Sequence, residues 1–177
     1  MIKNWYVLYT KPKCERKVSA LLSKKKINYY CPLNKQVNND DHSNKEKLSF
    51  NPLFPSFVFV YSTPDKIEYI RQLNDIINFV YWLGLPVELK GIEIENIQEF
   101  VSAYSNIYIE KSEISINKMV RVVTKQPMIS TEDDVIVMNH TIVKLTLPTL
   151  GFTLCARTSF DHAEVPETEY RIPHMVS

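Results

Sequence analysis

The stretch Pro52-Leu53-Phe54-Pro55-Ser56-Phe57-Val58-Phe59-Val60-Tyr61 decides the fold. Two prolines, which lack a backbone donor, confine its start to a sheet edge or a turn, and an aromatic and β-branched run follows. Side chains alternate along a strand, so Phe57, Phe59 and Tyr61 share one face and Val58 and Val60 the other. The chain enters a sheet here through a turn.

Upstream, Trp5 to Thr10 is aromatic and β-branched and predicts a buried strand, with a helix opening at Lys11-Pro12. Apolar residues at Val18, Leu21 and Leu22 give that helix one apolar face, while Lys13, Arg16, Lys17, Lys24, Lys25 and Lys26 lie elsewhere on it. Ile27 to Gln36 reads as a second strand, and polar Asn38 to Asn44 as a hairpin loop. Downstream, Pro64 to Leu73 fits a short helix and Ile77 to Trp82 a strand. Ile92, Ile97, Phe100, Val101 and Tyr104 mark an amphipathic helix. A polar connector spans Glu110 to Lys118. Short β-like runs follow at Met119 to Thr124, Val135 to Met138, Ile142 to Leu147 and Phe152 to Arg157, a pattern that predicts a small barrel. From Glu164 onward, Pro166 and Pro173 punctuate a tail expected to be loosely ordered. The reading is an α+β domain over 1–108, a linker over 109–117, a small β-barrel over 118–165 and a tail over 166–177.

The chain has 177 residues, room for two modules, and its formal charge is only +1, so no global field drives it onto nucleic acid or membrane. Charge is uneven along it. Between Lys3 and Lys47 eleven Lys or Arg face four acids, and the remainder is net acidic. Any polyanion contact is therefore expected in the first part, at Lys11, Lys13, Arg16 and Lys17. A solvated helix face is the alternative reading of those residues. No run approaches the roughly 18 apolar residues that a membrane span needs, and a cytoplasmic monomer without membrane contact is expected.

Catalysis finds little support. The four histidines, His42, His140, His162 and His174, are scattered without a Cys or Glu at metal-ligand or nucleophile-relay spacing. With three glycines, Gly84, Gly91 and Gly151, no phosphate-cradling loop exists. Cys14, Cys31 and Cys155 are widely spaced and read as reduced thiols. No catalytic residue, metal site or cofactor is expected. Aromatic residues are the stronger signal, because Tyr9, Phe57, Phe59 and Trp82 all fall on expected strands and could converge on one sheet face. They are either core, or an apolar patch that receives a partner helix.

Trp5-Tyr6-Val7-Leu8-Tyr9 running into Lys11, the Pro52 to Val60 stretch, and Phe79-Val80-Tyr81-Trp82-Leu83-Gly84-Leu85-Pro86 together resemble the amino-terminal domain of the NusG family, over residues 4 to 106. Among its members the Tyr81-to-Gly84 wording looks most like the UpxY-type antiterminators of capsule polysaccharide operons, with RfaH a more distant cousin. The resemblance implies a mixed sheet flanked by helices, and a surface at Tyr9, Phe57, Phe59 and Trp82 that receives the clamp helices of the largest RNA polymerase subunit. It also implies an approach of the Lys11 to Lys17 region to the non-template DNA strand. Met119 to Val123 and Leu147 to Phe152 are similar to the family's KOW domain, an SH3-like barrel through which relatives contact Rho or a small-subunit ribosomal protein. Lys125 to Asp134 contains no glycine where relatives have a Gly-rich turn, which implies a differently shaped loop. An operon-specific antiterminator is the expected function. The alternatives are a general NusG housekeeping factor and a free-standing RNA-binding module built on the barrel.

Overall fold

The computed structural model describes residues 2–39, 46–111, 121–126 and 140–159. In chain order the elements are β1 (Asn4–Thr10), α1 (Glu15–Lys24), β2 (Asn28–Tyr30), β3 (Leu33–Asn39), β4 (Glu46–Pro52), β5 (Phe57–Ser62), α2 (Ile67–Arg71) and β6 (Ile76–Phe79). Then come β7 (Tyr81–Trp82), β8 (Leu85–Pro86), β9 (Glu88–Leu89), α3 (Gly91–Ala103), β10 (Tyr108–Lys111), β11 (Arg121–Gln126), β12 (His140–Leu147) and β13 (Phe152–Ser159).

The main sheet runs β2-β5-β1-β6, with β9 also on β1. Every pairing in it is antiparallel, so the mixed sheet implied by the resemblance is corrected. The topology explains why. The α1 connection joins β1 to β2, which run the same way, but β5 lies between them; α2 likewise joins β5 to β6 across β1. Each helix crossover thus skips one strand, the split βαβ arrangement, and leaves only antiparallel neighbours hydrogen-bonded.

Alternation sorts the sheet's side chains as expected. Tyr6, Leu8, Val58 and Val60 point to one face and pack against Val18, Leu22 and Ile70 of α1 and α2. Val7 and Phe59 point to the other, where Phe54, Leu89 and α3 residues Ile94, Ile97 and Phe100 cover them. Glu93 starts α3 by accepting the N–H of Lys90 at 2.9 Å.

Several boundaries differ from expectation. Pro12 sits in a turn ahead of α1, not in its first turn. The Ile27 to Gln36 strand is cut at Cys31-Pro32, where the proline has no N–H for a ladder, and its second half joins β4 in a separate two-stranded ribbon. The turn before β5 is held by Glu15, whose buried carboxylate accepts the Ser56 N–H at 2.6 Å while Ser56 adopts φ 64.

The C-terminal strands form a four-stranded antiparallel sheet ordered β10-β13-β12-β11. Tyr108–Lys111, where the linker was expected to begin, is its edge strand and pairs Tyr108 with Cys155. Val143, Leu145, Leu147, Leu154 and Ala156 of this sheet belong to the same buried cluster as Val7, Phe59 and α3. The C-terminal sheet therefore packs on the main sheet, on the face opposite α1 and α2. The expected strand at Val135 to Met138, the glycine-free loop, the Asn38-to-Asn44 loop tip and the tail lie wholly or mostly outside the described residues. Cys14, Cys31 and Cys155 are free thiols, and burial pushes Cys155 up to about 11.

Candidate functional site

The four aromatic residues singled out in the sequence separate into three environments. Tyr9 and Phe57 are cross-strand partners on β1 and β5. Their rings meet edge-on, 6.0 Å apart at 71°, with Tyr9 41% exposed and Phe57 half-buried. Phe59 shares their face yet is 0% exposed, stacked on Tyr30 at 6.3 Å and edge-on to Phe54 at 5.5 Å. Its expected place on an open patch is corrected: α3 and the C-terminal sheet cover this part of the face, which local alternation does not reveal.

Trp82 is not on the main sheet. The chain leaves the sheet edge at Val80, whose N–H bonds the Val7 carbonyl, and returns at Val87, whose N–H bonds the Val80 carbonyl. Between them β7 and β8 form a projecting hairpin with Trp82 opposite Leu85. Leu83 and Gly84 make its two-residue turn with φ 49 and 80, the positive values that a type I′ turn needs at both positions. Glycine adopts this freely, but leucine is strained there. The tip is also apolar and open, with Trp82 70% and Leu83 87% exposed and Leu85 beside them. Sequence reading took Trp82 as a strand residue; the Leu83-Gly84 pair flanked by apolar residues was the available hairpin signal.

Phe152, which sequence reading did not single out, lies over the same aromatic group, 6.2 Å from Phe54 and 6.3 Å from Phe57. No signal local to either segment could have linked them. The face that begins open at Tyr9 is thus closed toward Phe57 by a strand from the C-terminal sheet.

The basic candidates are exposed but not idle. Lys11 and Lys17 both pair with Asp75, at 3.4 and 2.6 Å. The Lys17 ammonium, and Lys11 after it, holds the Asp75 carboxyl below its usual range. Arg16 donates to the Phe50 carbonyl. Lys13, at φ 62, has no such pairing among the described residues. Among the described residues no group of His, Cys, Asp and Glu could hold a metal ion, and no helix is long and apolar enough to cross a membrane.

The described residues thus combine a split-βαβ sheet, a half-open aromatic edge, a projecting apolar hairpin and a second β-sheet packed on the first. Residues 3–98 match the family model described as transcription termination factor NusG, and the chain belongs to that family. It is thereby a transcription elongation factor, of a family whose members are not enzymes and work on RNA polymerase. Among solved structures the chain is similar to one reported as "Domain interaction in Thermotoga maritima NusG", with a TM-score of 0.46 and 16% identity over 89% of this chain and 93% of that one. A search of curated protein sequences returned no match.

Proposed function

We propose that the chain binds the clamp helices of the largest RNA polymerase subunit through Tyr9, Phe57 and Trp82, and acts as an operon-specific antiterminator of the UpxY type, as at a capsular polysaccharide locus. The observation that carries this reading is the pairing of a half-open Tyr9–Phe57 edge with the Trp82 hairpin rooted beside Val7 on the same strand. Large aromatic side chains at a partly open edge supply the contact area that anchors a partner helix. Phe59, buried on the same face, packs against Tyr30 and Phe54 beside that edge.

Binding of this kind favours the closed, elongating polymerase by differential affinity and requires no chemistry from the factor. The Lys11-to-Lys17 region faces the non-template DNA strand in this reading. Because Phe152 sits on Phe57, a partner helix has to displace the C-terminal sheet to reach the whole face.

The test is capture of core RNA polymerase by the full chain, and by residues 1–108, at low salt. Binding by either form that is lost in Trp82→Ala and Tyr9→Ala supports the reading. No binding by either form sinks it.

A further inference from the structure

Asp75 closes the turn before β6 at φ 66, and its carbonyl accepts the Lys11 N–H at 3.0 Å. Its carboxylate takes one ammonium on each oxygen: Lys11 Nζ lies 3.4 Å from Oδ1 and Lys17 Nζ 2.6 Å from Oδ2. The acid is largely covered, its side chain 13% exposed, whereas the lysines are 61% and 73% exposed. Two exposed cations therefore converge on one two-oxygen monoanion. A phosphodiester presents the same pattern, a single charge shared by two non-bridging oxygens at one centre.

We propose that Lys11 and Lys17 form a phosphodiester site for single-stranded nucleic acid, and that Asp75 is its built-in competitor, which the strand must displace. The proposal rests on the reading that the basic α1 region meets nucleic acid, and adds the element that sets how strongly it does so. Exposed ion pairs are weak, so the carboxylate is a displaceable occupant and not a permanent block. With Asp75 in place the trio carries a net charge of one positive unit; without the carboxylate charge it carries two. Phosphate binding releases counterions in proportion to the cations engaged, so removing the acid should raise both affinity and salt dependence. Arg16, tied to the Phe50 carbonyl, takes no part in this exchange.

Asp75→Asn tests the idea, because asparagine fits the space and tolerates the positive φ. The full chain and the variant are titrated into labelled single-stranded DNA and RNA of about 20 nucleotides, at about 50 and 200 mM salt. Binding about three- to tenfold tighter at low salt is expected, the range that release of one or two exposed ion pairs allows, with a steeper salt dependence. Adding Lys11→Gln and Lys17→Gln to the variant should return affinity to the wild-type level or below. The DNA and RNA arms show which strand the site prefers. Equal or weaker binding by Asp75→Asn overturns the competitor. If the wild type binds and loses affinity with the lysine changes while Asp75→Asn alters nothing, the nucleic-acid reading stands and the competitor falls. If neither wild type nor Asp75→Asn binds, both fall.

Discussion

Phe152 of β13 rests against Phe57 of β5, ring centroids 6.3 Å apart and planes 44° from parallel. The same ring lies 6.2 Å from Phe54, so one side chain from the C-terminal sheet spans the aromatic edge of the main sheet. Aromatic pairs contribute about 0.5–1.5 kcal/mol beyond their buried area. Phe152→Ala should therefore loosen the two sheets by about 1 kcal/mol or more and raise polymerase affinity by about fivefold or more. Titration of the variant against core polymerase checks this. Unchanged or weaker affinity would show that partner and C-terminal sheet do not share the face.

Phe59 and Trp82, grouped together by sequence, should now part company. Phe59→Ala empties a fully buried site between Tyr30 and Phe54 and should cost about 3–5 kcal/mol of stability. Trp82→Ala removes a side chain that is 70% exposed and should leave stability within about 0.5 kcal/mol while weakening polymerase binding by about 2 kcal/mol, roughly thirtyfold. Urea unfolding of both variants separates core from contact. A large stability loss in Trp82→Ala would return the hairpin to a structural role.

Asn34 of β3 is buried and grips Ile107 from both sides, donating to its carbonyl at 2.7 Å and accepting its N–H at 3.0 Å. Beside it the Asn106 N–H bonds the Lys35 carbonyl at 2.8 Å, so the segment entering β10 is fastened to the β3–β4 ribbon. Asn34→Ala strands two buried backbone groups, each costing about 1–3 kcal/mol. The variant should lose about 2–4 kcal/mol, with amide exchange at Ile107 rising first. Asn34→Asp keeps the acceptor but sets a carboxylate against the Ile107 carbonyl, and should not rescue it.

Asp75 also predicts a pH dependence. Hydrogen bonding from Lys17, then Lys11, lowers its folded-state pKa below the ordinary 3.8. A depressed carboxyl pKa contributes stability that is present above about 3.8 and is lost as pH falls through the folded value. The melting temperature of wild type should therefore exceed that of Asp75→Asn near neutrality by a degree or so, and the gap should close as pH falls below about 4. Both lysines are solvent-exposed, so raising salt should shrink the gap as well. A gap that persisted at about pH 2 would mean that the substitution acts through the turn and not through charge.

Local pattern was enough for much of the architecture. The 3.6-residue spacing of Val18 and Leu22 gave α1 its buried face, and the Ile97 and Phe100 spacing did the same for α3. Alternation from Phe57 to Tyr61 correctly split β5 between two faces. These are short-range consequences of backbone geometry, and neighbouring residues suffice to state them. The short hairpin of Trp82 was less legible, because a two-residue strand is too brief to show a period and the glycine of its turn is the only punctuation.

By itself, then, the sequence determined the strand at β5, its two apolar faces, the basic helix before it and the likeness to the NusG family. Tertiary structure alone decided which part of the aromatic face is core and which is edge. Phe59 and Tyr9 carry the same kind of local signal, but α3 and β13, many residues downstream, cover one and leave the other half open. It likewise decided that Lys11 and Lys17 point at Asp75, a residue in another turn. Coverage and charge pairing depend on which distant segments the chain folds together, and that is set by the packing of the whole core, not by the order of residues within any one segment.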